Sequence, residues 1–269
     1  MRIFALPTLV LTLMLLAVAP AAAQDAGGQD LPKGVVGQEG LAYGKAQPLA
    51  GGAPVRLRLD LYRGARTPRK RAPVMIWVHG GSFLFGERAH MKRYAADSAR
   101  RGFVSATISY RLAPTVQLLG DGIKAAQHDA QASVRWFRRH ARRLGVDSRR
   151  IFIGGYSAGA ITALNVAYGP RDPGDSGNDG FSSKVSGAVS IAGFASQPIR
   201  RRAPDVLLFH GTSDTTVPYS ASVKVCEEAR ALKLSCKLVT YGDGVGHEVG
   251  ASKFSDIVRR TAAWLRPRL

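Results

Sequence analysis

The sequence predicts an α/β fold, with a mostly parallel central sheet and helices on both of its faces. Three observations carry this. Short apolar runs alternate along the chain with longer stretches of helical spacing, the order that winds a sheet in parallel. The run Val74 to Val78, VMIWV, is apolar without interruption, as a strand buried on both faces must be, whereas VRLRLDLY from Val55 alternates and predicts a strand with one solvated face. The length, 269 residues, supplies one such domain with ample core and leaves little for a second.

Met1 and Arg2, the apolar stretch Ile3 to Val18 and the small residues Ala21 to Ala23 have the three parts of a secretory signal peptide, so residues 1–23 are expected to be removed on export to the periplasm or beyond. The competing expectation is an uncleaved membrane anchor. No later stretch is apolar enough to span a bilayer. Residues 24–52 are rich in Gly, Gln and Ala with little periodicity and read as an extended or partly disordered arm. The folded domain is expected over 53–269.

Within it, strands are expected at Val55 to Tyr62, Val74 to Val78 and Phe103 to Ile108, the last leading into SYRLAP at Ser109 to Pro114. Asp121 to Leu144 has helical spacing, with Ile123, Ala126, Ala130, Val134 and Phe137 on one side and arginines on the other. Ile151 to Ile153 is a buried strand and Ala158 to Tyr168 a helix. The Gly, Pro and Asp-rich segment Gly169 to Ser182 is expected to be an exposed loop. Strands at Val185 to Ile191, Val206 to Phe209 and Lys237 to Tyr241 follow, with helices at Ser220 to Leu232 and Ser252 to Leu265.

Two cysteines, Cys226 and Cys236, form an even set in an exported chain and predict a disulfide between a helix and the opening of the next strand, with two buried free thiols as the alternative. Two cysteines without a nearby histidine pair do not make a metal site. The formal net charge of +19 comes from 38 Lys and Arg against 19 Asp and Glu, which draws the chain toward anionic surfaces in a salt-dependent way. No aromatic residues interleave with the arginines as base stacking would need, so no specific nucleic-acid partner is expected.

Chemistry gathers where a parallel sheet brings its strand C-termini to one edge. GGYSAGA from Gly154 places Ser157 in a strand-to-helix hinge between Gly155 and Gly159, the setting of an exposed nucleophile. The next amide, that of Ala158, opens a helix and faces any negative charge developing nearby. Gly80 and Gly81, straight after another strand, let the backbone approach a substrate and aim amides at it, so Gly80, Gly81 and Ala158 form the candidate oxyanion hole. Asp214 in HGTSDTTVP and His247 in the turn before the last helix each follow a predicted strand. Serine, aspartate and histidine in that chain order point to a triad with Ser157 as nucleophile, His247 as base and Asp214 as the orienting acid, ahead of the neighbouring Glu248. Arg111 and Asp129 read as an ion pair supporting the site from behind. No metal or cofactor is needed for this chemistry.

With WVHGGSF from Trp77, SYRLAP, GGYSAGA, HGTSDTTVP and GVGHE from Gly244 together, the chain from about Val55 onward resembles the α/β-hydrolases. It is similar to the lid-poor carboxylesterases, the hormone-sensitive-lipase-like and the acetyl-xylan or feruloyl esterase-like (BD-FAE-like) branches. The resemblance implies an α/β-hydrolase fold and hydrolysis of short-chain or aromatic carboxylic esters through an acyl-enzyme, with acylated polysaccharide as one source of substrate. Ser82 stands where many relatives carry a third glycine of the oxyanion loop. The link from the strand at Val185 to that at Val206 is short where many relatives insert a helical cap, which implies an open, shallow site. An amidase or peptidase of the same fold, and a non-catalytic binding protein built on it, are the rival readings.

Overall fold

The computed structural model describes residues 31–169 and 172–269, so the predicted signal peptide and the first residues of the predicted arm lie outside the described residues. The core is an eight-stranded sheet formed by β1 (Val35–Ala46), β2 (Val55–Gly64), β3 (Ala72–Val78), β4 (Val104–Ile108), β5 (Val146–Tyr156), β6 (Gly187–Ile191), β7 (Val206–Gly211) and β8 (Cys236–Tyr241). The spatial order is β1-β2-β4-β3-β5-β6-β7-β8. β2 runs antiparallel to both β1 and β4, and β3 to β8 are parallel. β3, β4, β6 and β7 are buried at every position, as strands covered on both faces should be; β3 is apolar throughout, whereas β4, β6 and β7 also bury Ser105, Thr107, Ser190 and His210.

Helices α1 (Lys92–Arg100), α2 (Leu119–Arg139), α3 (Ala141–Leu144), α4 (Ala158–Tyr168), α5 (Tyr219–Ala231), α6 (Val249–Ser252) and α7 (Phe254–Leu265) complete the fold. One core layer joins the sheet to α2, α4 and α5 through residues such as Phe137, Ile161 and Val225. The other joins it to α1 and α7 through Tyr94, Ala95, Ile257 and Trp264. Because the parallel strands all point one way, the loops after β3, β5, β7 and β8 emerge at a single edge, where Gly80, Ser157, Asp214 and His247 lie.

Most predicted elements stand within a few residues of their expected limits, and four differences have physical causes. The described part of the expected arm forms β1, an edge strand paired with β2 from Val35 opposite Gly64 to Ala46 opposite Val55. Its register shifts at Gln38/Leu41 and Ala42/Gly44 break the alternation that would have marked it in the sequence. Helix α1 was not expected, because its buried face is built largely from alanines, Ala95, Ala96 and Ala99, beside Tyr94. The expected helix over 121–144 divides at His140, whose ring bonds the Trp136 carbonyl at 2.9 Å, before Gly145 turns the chain with φ 59°. Within the loop expected to be exposed, Ser176 is fully buried, for reasons that belong to the site below.

Cys226 on α5 and Cys236 at the start of β8 are joined in a disulfide with Cα atoms 5.1 Å apart. It clips the helix to the edge strand at the end remote from Ser157. Among the described residues no helix is long and apolar enough to cross a membrane.

Candidate active site

The site is built on the turn between β5 and α4. Ser157 has φ 53° and ψ −120°, a backbone conformation a residue with a side chain adopts only when its surroundings impose it. The imposition comes from both neighbours. A Cβ on Gly155 would collide with the Gly159 carbonyl, and one on Gly159 with the Val78 carbonyl at the end of β3. Close contact between the turn, its own helix and the adjacent strand thus requires glycine at both positions. The Ser157 amide donates to the Ile191 carbonyl at 2.9 Å, which ties the turn to β6, and its carbonyl starts helix α4.

Two further loops complete the constellation predicted for Ser157, His247 and Asp214. His247 Nε2 lies 2.9 Å from Ser157 Oγ, and His247 Nδ1 lies 2.8 Å from Asp214 Oδ2. Tyr156 holds the histidine loop by donating its hydroxyl to the His247 carbonyl at 2.9 Å. Asp214 Oδ1 accepts the amides of Thr216 and Val217 at 2.9 and 2.8 Å, so the carboxylate is fixed at both oxygens. Burial alone would raise this carboxyl, but hydrogen bonds from His210 and His247 with the Val217 amide hold it well below the usual carboxylate range. As an anion at neutral pH it favours the His247 tautomer with hydrogen on Nδ1, which leaves Nε2 as an acceptor toward Ser157 Oγ. Glu248 is engaged elsewhere: its Oε1 accepts the Gly246 amide at 3.0 Å and braces its own turn.

Of the three amides expected to form an oxyanion hole, Gly80 and Ala158 flank Ser157 directly. A Cβ on Gly80 would lie 3.2 Å from the Ser157 Cβ and 3.0 Å from the Tyr156 carbonyl, so only glycine lets this loop close on the serine. Ala158 is the first residue of α4, where an amide has no partner inside the helix. Gly81 stands one residue further along, and its carbonyl accepts the amides of Leu84 and Phe85 in a tight turn. The turn continues through Ser82 and Phe83, both with positive φ, so Ser82 occupies a position that a third glycine would fill without strain.

Sequence reasoning passed over the residues that hold this loop. His79 is buried, its Nδ1 is 2.7 Å from the Gly80 carbonyl, and its ring stacks on Tyr110. Desolvation pushes the His79 imidazole down to about 4, so it is neutral at neutral pH. Tyr110 belongs to the SYRLAP segment, and that segment also bonds Ala113 N to the Phe83 carbonyl at 2.7 Å. Behind it, Arg111 and Asp129 form the expected ion pair at 2.8 Å, both buried. Arg111 further donates to Asp175 at 2.9 Å and to Ser176 Oγ at 3.0 Å, and Ser176 Oγ donates to Asp129 at 2.5 Å. The polar loop predicted to be exposed therefore sends Ser176 inward because a buried charge pair needs its hydrogen-bond capacity filled. His210 was likewise read only as the opening of HGTSDTTVP, although a histidine four residues before the acid, at a strand end, was a signal in plain view.

Between β6 and β7 the chain runs from Ala192 to Asp205 without a helix, so no cap descends on Ser157 from this link. Among the described residues there is no group of three side chains able to hold a metal ion.

Comparison with known proteins finds esterases and lipases. A family model described as BD-FAE matches residues 59–194, half of the chain. The chain is 27% identical to esterase LipC of Mycobacterium tuberculosis over 74% of its own length and 58% of that protein. It is 35% identical to lipase 1 of Geotrichum candidum over 42% of its length, a match spanning 22% of the lipase. The chain thus spans between about a fifth and three fifths of these curated relatives. Among solved structures, propionate-bound esterase 2 of Thermogutta terrifontis superposes with a TM-score of 0.73 at 22% identity, covering 89% of this chain and 96% of that one. The same esterase phosphorylated by paraoxon gives 0.72 at 22% identity, over 88% and 94% of the two chains. These neighbours share the α/β-hydrolase fold with the chain.

Proposed function

We propose, for a chain that belongs to the BD-FAE family, that it is a serine carboxylesterase acting on short-chain or aromatic carboxylic esters. The observation that carries the reading is the unbroken run of contacts from Ser157 Oγ through His247 to Asp214, 2.9 and 2.8 Å, with the serine held in a strained turn. The printed functions of the relatives, esterase and lipase, support the same class.

In the proposed reaction Ser157 Oγ attacks the ester carbonyl as its proton passes to His247 Nε2. The resulting oxyanion is held by amides of the Gly80 loop and Ala158, while Asp214 keeps the imidazolium oriented. Collapse expels the alcohol with that proton and leaves an acyl-serine. Water then attacks by the same route, and the free acid and Ser157 are regenerated. The uncapped link after β6 favours small or planar acyl groups on large alcohols, including esters carried by polysaccharide, over long chains that need an enclosed tunnel. Phe85, 46% exposed on the Gly81 turn, offers an apolar surface for an aromatic group.

The test is initial-rate hydrolysis of p-nitrophenyl esters of increasing acyl length, with acetylated xylan and a feruloyl ester, by the chain and by Ser157→Ala. Activity on short or aromatic esters that vanishes in the variant supports the reading; equal activity in both proteins sinks it. A matched anilide turned over faster than its ester would move the assignment to an amidase. Paraoxon, which phosphorylates the structural neighbour, should add one diethylphosphoryl group at Ser157, seen by mass spectrometry of the peptide carrying that residue.

A further inference from the structure

Asp214 Oδ2 accepts from two histidines. Besides His247 Nδ1 at 2.8 Å, His210 Nε2 approaches it at 3.1 Å, and the same Nε2 lies 2.9 Å from the Val217 carbonyl. A carbonyl cannot donate, and the carboxylate is ionised, so the hydrogen of this contact sits on His210 Nε2. The other ring nitrogen, Nδ1, lies 2.7 Å from Ser222 Oγ on α5, which is itself 2.9 Å from the Gly193 carbonyl in the loop after β6. Ser222 has a single hydroxyl hydrogen. Given to Nδ1, it leaves His210 neutral; given to Gly193, it requires Nδ1 to carry a hydrogen as well, and His210 becomes an imidazolium. In both arrangements His210 remains a donor to Asp214, and every atom of the ring that can bond does so inside the protein, with His210, Ser222 and the Asp214 carboxylate all buried.

We propose that His210 is a positioning residue for the triad: by donating to the oxygen that His247 uses, it fixes that oxygen in place and limits how strongly Asp214 raises the basicity of His247. This rests on the esterase reading for its catalytic consequence but on geometry alone for its electrostatic one. A carboxylate oxygen shared between two N–H donors presents less negative charge to each. Without His210, His247 would face a carboxylate whose Oδ2 bonded to it alone, so its imidazolium would be favoured and its pKa would rise. The oxygen would also lose one of the contacts that aim it, since Thr216 and Val217 hold only Oδ1.

Asp214 bonds both histidines, the Tyr219 ring stands edge-on to His210 at 5.9 Å, the Tyr156 ring lies 5.3 Å from that of His247, and Glu248, next to His247 in the chain, has its Oε1 engaged by the Gly246 amide. On the neighbouring strands, Thr240 of β8 is the register partner of His210 and β6 ends at Ile191, neither of them ionisable.

The decisive experiment titrates His247 by imidazole 15N NMR in the wild type, His210→Gln, His210→Phe and Ser222→Ala, alongside pH profiles of kcat/KM on a short p-nitrophenyl ester. Gln keeps an N–H donor near the Nε2 position, and Phe keeps only the shape. The expected result is an upward shift of the His247 titration, and of the acid limb of kcat/KM, by about half a unit or more in His210→Phe. His210→Gln should lie close to wild type and Ser222→Ala between the two, with kcat down several-fold in His210→Phe and KM little changed. A His247 titration that stays put or moves down in His210→Phe overturns the proposal, even where thermal stability falls, since a purely structural residue would lower stability without moving that titration. If His210→Phe does not fold, Ser222→Ala decides on the same criterion. The NMR readout needs no substrate, so a wild type without esterase activity would reject the esterase reading and leave this test standing.

Discussion

The ring of Tyr110 lies stacked on that of His79, with centroids 4.3 Å apart and planes within 15°, and the Tyr110 hydroxyl donates to the His79 carbonyl at 3.1 Å. This joins two sequence motifs, WVHGGSF and SYRLAP, that lie apart in the chain and that physical reading of the sequence could not connect. Its consequence is a histidine sealed from water directly beneath the glycine loop that faces Ser157.

A sealed histidine makes stability depend on pH. His79 titrates near 4 in the folded protein because burial disfavours its charged form, and an exposed histidine in the unfolded chain titrates near about 6.5. Between these values the unfolded state binds a proton that the native state refuses. Stability contributed by neutral His79 is therefore complete above the unfolded value and falls as pH drops toward 4, by about 3 kcal/mol in total. Urea midpoints at pH 7, 5.5 and 4.5 for the wild type and for His79→Asn, which keeps a donor for the Gly80 carbonyl but cannot titrate, measure the difference. The variant should lose less stability across that interval; an identical decline would place the acid sensitivity elsewhere.

The turn carrying Ser157 predicts a different failure. Since a methyl group on Gly159 meets the Val78 carbonyl and a neighbouring one at His79, neither of which can move without shifting β3, Gly159→Ala should cost about 3 kcal/mol or more. Thermal unfolding monitored by circular dichroism would report this as a drop of many degrees. Ala163→Gly in the middle of the same helix serves as the comparison, where helix propensity and lost packing set the cost.

These two sites bound what was legible in the sequence. The hinge at Ser157 was readable because its requirements are local: a strand, two glycines and a helix within one stretch. Strands β3 and β7 were readable because the apolar runs VMIWV and VLLF have few other homes. β1 was not, since its pairing with β2 is bulged and only Val35, Tyr43 and Ala46 of it are buried. The support of Asp214 by His210 and the inward turn of Ser176 were invisible for another reason. Both satisfy buried polar atoms, Ser176 across 47 residues to Asp129 and His210 four residues before its partner, and no apolar periodicity records such a need.

The network around Arg111 should respond asymmetrically to substitution. Asp129→Asn leaves a buried guanidinium with Asp175, itself largely exposed, as its remaining carboxylate, whereas Arg111→Met with Asp129→Leu removes both charges. The single change is expected to destabilise by about 3 kcal/mol or more, and the double change by less than the two single changes combined. Chemical denaturation of the wild type, Arg111→Met, Asp129→Leu and the double variant gives the coupling, with Asp129→Asn measured beside them; additive losses would mean the pair is not an interacting unit.

The Cys226–Cys236 bridge closes a short loop, so the chain-entropy account gives it about 2 to 3 kcal/mol. It ties α5 to the start of β8, remote from the opposite edge where Ser157 lies. Reduction, or Cys226→Ser with Cys236→Ser, should therefore lower the melting temperature while leaving kcat at 25 °C within about two-fold of the wild type. A large loss of kcat without a loss of stability would show that the bridge acts on the site.

The choice of Asp214 over Glu248 as the acid of the triad yields the sharpest kinetic contrast. Both carboxylates are near His247 in the fold or the sequence, but their hydrogen bonds separate them. Glu248 Oε1 is occupied by the Gly246 amide, whereas Asp214 Oδ2 faces His247 Nδ1 and its other oxygen is locked by two backbone amides. Asp214→Asn would place an amide where only an acceptor can fix the tautomer with hydrogen on Nδ1. With that tautomer lost, Nε2 carries the hydrogen and cannot take one from Ser157, and kcat should fall by about 10⁴-fold, the scale known for this substitution in a serine protease. Glu248→Gln keeps an oxygen for the Gly246 amide, and kcat should change by no more than about three-fold. Initial rates on a short p-nitrophenyl ester, with folding checked by circular dichroism, compare the two. If Glu248→Gln proved the more damaging, the hydrogen bond from His247 to Asp214 would not be the one used in turnover, and the acid would have to be reassigned.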